Sequence, residues 1–227
     1  MAFGTGLVSR LLEHLGAPRM DGRLDGAQAA RPLHATRFVA LDLETTGLHR
    51  RRDAIVQVAM VGIDRFAVAA EPILQTLVDP RRPIPPSATR IHGIADGDVR
   101  DAPAIEALLP RIARAWHDTV VIGHHVRFDL AMLATAARRA GRVLPRPPFL
   151  DTWALAGGLD ARLAHLDLAD TARHFGIDPT AFARHDAVAD ARLAAYLFIR
   201  LAERLIATGH ATVGQAAAVA ERCRLPR

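Results

Sequence analysis

The amino-acid sequence predicts an α/β fold: a mixed five-stranded sheet, made of a three-stranded antiparallel meander plus parallel strands, flanked by helices. Two observations lead to this prediction. Strand-like apolar segments at residues 37–43, 55–63 and 73–78 follow one another with turn signals between them, as in a meander. After them, helical and strand patterns alternate, which is typical of parallel strands joined by helices.

The second part of the pattern supplies the remaining elements in order. Helical periodicity marks residues 104–115 and 128–140, with short strands at 120–122 and near 149–150. A long amphipathic helix then opens near residue 185 and extends to about residue 207.

We expect two appendages on this domain. Residues 1–35 form an N-terminal extension, in which the amphipathic stretch 7–15 is interpreted as a helix packed on the outside, with a partner-binding arm as the alternative. Residues 36–208 form the main domain. Residues 209–227 form an Ala-rich tail, either a short extra helix or a frayed end.

Composition sets limits on the class of protein. The chain has 227 residues, 50% of them hydrophobic, which is enough for one α/β domain with a real core. Formal net charge is +5, and all 29 basic residues are Arg. Since Lys and Asn are both absent, we attribute the Arg excess mainly to a GC-rich coding bias. The charge therefore predicts only a modest attraction for phosphates.

The single cysteine and the hydropathy pattern bear on location. Cys223 excludes an internal disulfide and a Cys-based zinc site, and fits a reducing cytoplasm. No stretch approaches the roughly 20 apolar residues that a membrane span needs. The first ten residues lack the charged region and apolar core of a secretory signal. We expect a cytoplasmic protein without a membrane partner.

Two carboxylates lie two residues apart where the first predicted strand ends. Asp42 and Glu44 precede Thr-Thr-Gly47, and i, i+2 residues of a strand point to the same face. Such a pair repels itself unless a cation or a proton lies between its members. Two surface acids at a solvated strand end are the alternative for an isolated pair of this kind.

Further acids and a histidine occur at the starts of two later helices. Gly123-His-His-Val-Arg-Phe-Asp129 follows a short apolar strand and carries Asp129 in the first turn of a helix. His185-Asp-Ala-Val-Ala-Asp190 opens the long amphipathic helix, with Asp186 as its expected N-cap. Asp151 is likewise interpreted as a helix cap.

These three segments resemble the three motifs of the histidine branch of the DEDD exonuclease superfamily (DEDDh), to which the proofreading epsilon subunit of bacterial replicative polymerases belongs. The resemblance covers residues 37–207 in order. The resemblance implies a ribonuclease-H-like sheet. The sequence differs from the family motifs at one position. His125 stands where the second motif usually has Asn, which affects how the loop before Asp129 contacts substrate; a tolerated polar loop residue is the alternative.

The resemblance implies a two-metal phosphodiesterase site. Hard Mg²⁺ or Mn²⁺ ions prefer carboxylate oxygens, and two ions are held by the four acids of the motifs, Asp42, Glu44, Asp129 and Asp190. By resemblance, Asp42 bridges both ions, Glu44 and Asp190 support the nucleophile's metal, and Asp129 serves the second. His185 is the expected general base, because a neutral imidazole near pH 7 suits that role.

The expected substrate contacts come from loops near the acids. Thr45 and Thr46 turn the strand and are candidates for holding the terminal nucleotide. His92 is a candidate for contacting its base or sugar, and His125 is a candidate for a substrate contact. For His92, anchoring of its own loop is the alternative.

The function predicted is a 3′→5′ exonuclease that releases nucleoside 5′-monophosphates from single-stranded or frayed 3′ ends of DNA, as in proofreading or repair. Three alternatives stay open: an exoribonuclease of the same family, a catalytically silent nucleic-acid-binding module, and a small-molecule phosphatase. The tail at residues 212–221 lacks the bulky apolar cluster of a clamp-binding peptide. This favours a standalone enzyme over a polymerase-associated subunit.

Overall fold

The computed structural model describes residues 24–183 and 185–223. The amphipathic stretch predicted at residues 7–15 lies outside this range. Within the described residues, no helix combines the length and the apolar composition needed to cross a bilayer.

The described residues contain a mixed sheet of six strands in the order β3-β2-β1-β5-β6, with β4 also paired to β2. Strands β2, β3 and β4 form the antiparallel part with β1, whereas β5 pairs parallel to β1, and β6 parallel to β5. The strands are β1 (Phe38–Thr45), β2 (Ile55–Asp64), β3 (Ala67–Val68), β4 (Leu74–Leu77), β5 (Val120–Gly123) and β6 (Phe149–Asp151).

The predicted fold class is confirmed, with one difference in the meander. The strand predicted at 73–78 is β4, and a further two-residue strand that was not predicted, β3, also pairs with β2 and raises the strand number from five to six. The segment between β3 and β4 contains Pro72, which has no N–H to donate to the ladder. Pairing continues on either side of it, where Ala69 N–H and Ile73 N–H donate to carbonyls of β2 at 2.8 Å.

Helices cover both faces of this sheet. The described helices are α1 (Gly26–Ala30), α2 (Pro86–His92), α3 (Asp96–Val99), α4 (Ile105–Ala115), α5 (Val126–Arg139), α6 (Thr152–Leu159), α7 (Leu168–His174), α8 (Ala187–Ala207) and α9 (Val213–Ala220). The helix predicted at 128–140 begins two residues earlier, and residues 213–220 of the Ala-rich tail form a helix.

Alternation along β1 divides the core between the two faces. Phe38 and Ala40 point to the face that α8 covers, where the Phe38 and Phe198 rings lie 4.5 Å apart. Val39 and Leu41 point to the other face and pack with residues of α4 and α5. Because successive strand residues alternate, the two residues that continue the Phe38–Ala40 series are Asp42 and Glu44. The sheet therefore directs both acids toward α8.

The two ends of the described chain pack against each other. Leu33 N–H donates to Ala211 carbonyl at 2.8 Å, and Val213 N–H donates to Arg31 carbonyl at 3.0 Å. Helix α9 then lies against α6 so closely that a Cβ at Gly158 would stand 2.0 Å from the Val219 carbonyl oxygen. Only glycine permits this close approach of α9 to α6.

Candidate active site

The carboxyl end of β1 is an irregular strand end. Strand β5 pairs with β1 only over Phe38–Ala40, so the edge of β1 beyond Ala40 is not covered by β5. On the other side, the register between β1 and β2 shifts between Glu44 and Thr45, which marks a β-bulge. Bulges of this kind change the direction of side chains and are frequent next to functional sites.

Three carboxylates come together at this strand end. Asp42 and Glu44 from β1 and Asp190 from the first turn of α8 each offer an oxygen, and these oxygens all lie within 4.8 Å of one another. All three side chains are half-buried. The end of β1 and the first turn of α8 thus meet at one point, although Glu44 and Asp190 are 146 residues apart in sequence.

Asp129 approaches the same point from the other face of the sheet. It lies in the first turn of α5, is 5% exposed, and accepts a hydrogen bond from the backbone N–H of Leu43. It is outside the group of three, but its charge raises the pKa of both Asp42 and Glu44. The structure therefore brings all four acids of the three sequence motifs to the end of β1.

The electrostatics of the acidic cluster are unfavourable to negative charge. Burial is the main cause that raises the pKa of Asp42 well above its usual range, followed by the charges of Asp129, Glu44 and Asp190. Burial, followed by Asp190 and Asp129, raises the pKa of Glu44 to about 8. Such a cluster needs protons or cations to offset the repulsion.

His185 lies immediately before α8. Asp186 is the N-cap of this helix, as predicted, and its carboxylate accepts hydrogen bonds from Val188 N–H and Ala189 N–H, each at 3.1 Å. His185 itself is exposed and has a left-handed backbone with φ 57°. His185 therefore lies two residues before the first residue of α8 and five residues before Asp190.

His92 lies near His185. Burial lowers the pKa of His92, and the nearby His185 lowers it further, while the backbone of Thr45 opposes the shift. Its Nδ1 accepts a hydrogen bond from Ile94 N–H at 3.1 Å, across the left-handed Gly93 that ends α2. The imidazole is thus both an anchor of its own loop and a neighbour of the strand end.

The Thr45-Thr46-Gly47 turn is held by internal hydrogen bonds. Thr45 Oγ1 donates to Gly47 carbonyl at 2.8 Å, and Thr46 Oγ1 accepts from Ala54 N–H at 3.0 Å. A Cβ at Gly47 would lie 2.6 Å from Asp53 Oδ2, so any other residue here would displace the Asp53 carboxylate. Contact of the two threonines with a nucleotide stays a prediction.

The conformation of His125 gives a physical account of the departure from the family motif. His125 is the N-cap of α5 and has φ 60° and ψ 30°, which is left-handed. Among residues other than glycine, Asn, Asp and His are the ones enriched in that region, so His can replace Asn here. Its N–H donates to Asp151 Oδ1 at 3.0 Å, and its ring lies 4.9 Å from the Trp153 ring.

Two polar residues near the acids have roles beyond the sequence prediction. Asp151 caps α6, as predicted, but it is also buried and its charge raises the pKa of Asp129. Gln57 was not predicted at all; it is 7% exposed and is the β2 partner of Glu44. The available signal was a single polar residue inside the apolar run 55–61.

The comparison with known families agrees with this geometry. Residues 39–198 match the family model described as Exonuclease, of the RNase T type. This chain belongs to that exonuclease family. The resemblance to DEDDh exonucleases is confirmed by this match.

Similar proteins include two whose names refer to DNA polymerase III. The chain is 35% identical over 191 residues to a DNA polymerase III subunit epsilon-like protein of Rhodobacter capsulatus, covering 84% of this chain and 27% of that protein. It is 31% identical over 178 residues to the PolC-type DNA polymerase III of Caldanaerobacter subterraneus, covering 78% of this chain and 12% of that protein. The chain thus spans about a quarter or less of the length of these relatives.

Solved exonuclease structures share the fold. Exonuclease X, in complex with 5′-overhanging duplex DNA, superimposes with a TM-score of 0.60 at 27% identity, covering 82% of this chain and 99% of that one. E. coli Exonuclease I, in complex with a dA16 oligonucleotide, gives a TM-score of 0.64 at 21% identity over 76% of this chain and 42% of that one. The second likeness concerns the fold alone.

Proposed function

We propose that this protein is a metal-dependent 3′→5′ exonuclease that removes nucleoside 5′-monophosphates from DNA 3′ ends. The observation that carries the proposal is the convergence of Asp42, Glu44 and Asp190, with carboxylate oxygens within 4.8 Å, next to the buried Asp129. Family membership supplies the reaction class, and this site supplies the groups that the reaction requires.

The donor set fits divalent cations. All the ligand atoms offered are carboxylate oxygens, which Mg²⁺ and Mn²⁺ prefer, and the raised pKa values of Asp42 and Glu44 indicate that burial and the neighbouring acids disfavour their charge. Two ions bound there would neutralise the phosphate, acidify a water and stabilise the leaving oxygen. We assign Asp42 to both ions, Glu44 and Asp190 to the ion on the nucleophile's side, and Asp129 to the other.

His185 is proposed as the general base. It stands at the start of the helix that presents Asp190, and its exposed side chain is open to solvent. The nearby His92 has a lowered pKa and is therefore neutral near pH 7, so it does not bring a permanent positive charge to the site. We propose that His185 accepts the proton of the attacking water.

The substrate is proposed to be a single-stranded or frayed DNA end. The supporting observations are the relatives, whose names refer to DNA polymerase III, and Exonuclease X, which is named with a DNA duplex that carries an overhang. We assign the contacts with the terminal nucleotide to Thr45, Thr46, His92 and His125, which surround the strand end.

The test uses end-labelled oligonucleotides with Mg²⁺ or Mn²⁺. A 5′-labelled single strand of DNA should give a descending ladder, and the released product should be a nucleoside 5′-monophosphate. A 3′-phosphate should slow the reaction, and blunt duplex should be cut more slowly than single strands, because the terminal pairs must open at a cost of a few kcal/mol.

Two further substrates separate the alternatives. Cleavage of a closed circular single strand at a comparable rate would identify an endonuclease and refute the proposed polarity. An RNA oligomer of the same sequence distinguishes the exoribonuclease alternative, since faster turnover of RNA than of DNA would reassign the substrate. Asp64→Asn alters an exposed acid at the far end of β2, and it is the matched control for variants that remove a charge from the acidic cluster.

A further inference from the structure

One buried amide joins the strand that pairs with β1 to the start of α8. Gln57 lies in β2 directly opposite Glu44, and its side chain is 7% exposed. Its Oε1 accepts a hydrogen bond from Ala187 N–H at 3.2 Å, and its Nε2 donates to Asp186 Oδ2 at 3.3 Å. The two ends of the amide therefore contact two consecutive residues at the helix start.

The chemistry of the partners decides the orientation of this amide. The Ala187 N–H can only donate, so it needs the amide oxygen, which leaves the amide nitrogen to face the Asp186 carboxylate. The other oxygen of Asp186 accepts from Val188 N–H and Ala189 N–H. Every polar group of this junction thus has a partner, as a buried junction requires.

The junction lies between two of the acids. Gln57 and Glu44 are adjacent across the β1–β2 pair, and Asp190 N–H donates to the Asp186 carbonyl at 2.9 Å in the first turn of α8. The path from Glu44 to Asp190 therefore passes through one cross-strand neighbour, one pair of side-chain hydrogen bonds and one helical turn. His185 immediately precedes the residue that Gln57 binds.

We propose that Gln57 is a positioning residue that sets the separation between Glu44 and Asp190 and, through it, the affinity of the site for divalent ions. This inference rests on the proposed function, since it concerns the same acids. Gln57 acts through Asp186 and Ala187. Residues that orient metal ligands in this way typically change metal affinity or activity by about 10–100-fold when they are altered.

The first test compares two Gln→Leu variants in one sheet. Gln57→Leu keeps the side-chain volume but leaves the Asp186 oxygen and Ala187 N–H unpaired. We expect the Mn²⁺ concentration at half-maximal activity to rise and kcat to fall by about 10-fold or more, with KM for the oligonucleotide unchanged. Gln75→Leu, an exposed position on the adjacent β4, should leave all three quantities at the wild-type values.

The second test exchanges the two polar groups. In Gln57→Glu a carboxylate faces the Asp186 carboxylate, and in Asp186→Asn one amide N–H group faces another, so each single variant should lose Mn²⁺ affinity and kcat. The double variant restores a donor–acceptor pair with the direction reversed, while Asn remains a good N-cap and the total charge is unchanged. It should recover most of the loss seen in the single variants.

The outcomes separate this inference from the proposed function. Mn²⁺ binding is measured by calorimetry as well as by turnover, and the melting temperature of each variant is recorded. If Gln57→Leu had the Mn²⁺ affinity and the kcat of the wild type, the positioning role would be overturned. A well-folded double variant that did not recover Mn²⁺ affinity and kcat would overturn it as well. Absence of nuclease activity in the wild type would instead refute the proposed function, while the calorimetric comparison would still decide the role of Gln57.

Discussion

The contact between β1 and α8 has an apolar half and an acidic half. In the apolar half, Phe38 and Phe198 are 1% and 0% exposed and their rings lie 4.5 Å apart. In the acidic half, which begins four residues further along the same face of β1, Asp42 and Glu44 meet Asp190. One strand face and one helix thus form both a close-packed core and a cluster of like charges.

The difference between the halves concerns stability. Burial of the phenylalanine rings removes apolar surface from water and stabilises the fold. Burial of the charged carboxylates destabilises the fold, since burial is the largest cause of their raised pKa values. The apolar half therefore holds the strand and helix together against the repulsion of the acidic half, and cation binding would relieve that repulsion.

Removal of divalent ions should have the largest effect on the acidic half. A chelator should abolish turnover, and Mg²⁺ or Mn²⁺ should restore it, because the four carboxylates converge, and burial and their mutual repulsion raise the pKa of Asp42 and Glu44. Mn²⁺ should also raise the melting temperature of the wild type, since it binds only the folded arrangement. Nuclease assays and thermal melts with and without chelator check both statements.

The variant Asp42→Asn sharpens this prediction. It should be inactive, should melt at a higher temperature than the wild type in chelator, and should lose the Mn²⁺-dependent increase. Full activity of the wild-type protein in chelator would refute the metal-dependent mechanism.

Loss of the proposed base should leave the cluster intact. His185→Ala should reduce kcat by about 10²–10⁴-fold, the usual contribution of a general base, while Mn²⁺ affinity and oligonucleotide binding persist. The control is His165→Ala, which alters another exposed histidine. Near-normal turnover of His185→Ala at saturating substrate would assign the proton transfer to another group.

Truncation in the apolar half should reverse the pattern. Phe198→Ala should lower the free energy of unfolding by about 3–5 kcal/mol through the cavity that it creates, as measured by denaturant titration. Activity per folded molecule should stay close to the wild type. Tyr196→Ala, at a 41% exposed position of the same helix, should cost much less. A loss of Mn²⁺ affinity in Phe198→Ala would show that the two halves are coupled.

The acidic half should also make stability depend on pH. The pKa of Glu44 rises from its ordinary value of 4.5 to about 8 in the folded protein, so between these values the folded state binds more protons than the unfolded state. The stability contributed by protonated Glu44 is present in full below about pH 4.5 and is lost as the pH rises through about 8. In chelator, Glu44→Gln should therefore melt increasingly above the wild type as the pH is raised from 5 to 8.

The control for this smaller effect is Glu203→Gln, on the exposed side of α8. Its difference from the wild type should be independent of pH over the same range. A constant difference for Glu44→Gln would mean that Glu44 titrates normally, and the electrostatic account of the cluster would then be wrong.

The family and the elements that carry the acids can be predicted from the amino-acid sequence alone. Strand alternation placed Asp42 and Glu44 on one face, and N-cap chemistry at Asp186 and Asp151 located two helix starts. These are local properties, because they depend on spacing within a few residues and on backbone preferences that neighbours in sequence express.

How these elements meet depends on long-range packing, which local sequence patterns do not encode. The carboxylate oxygens of Asp190, Asp42 and Glu44 lie within 4.8 Å of one another, and Asp129 reaches the same strand end beside the backbone of Leu43. Both arrangements depend on the packing of α5 and α8 on opposite faces of the sheet. Gln57 was not predicted for the same reason. Its partners lie 129 and 130 residues away, and no local pattern encodes a hydrogen bond across that separation.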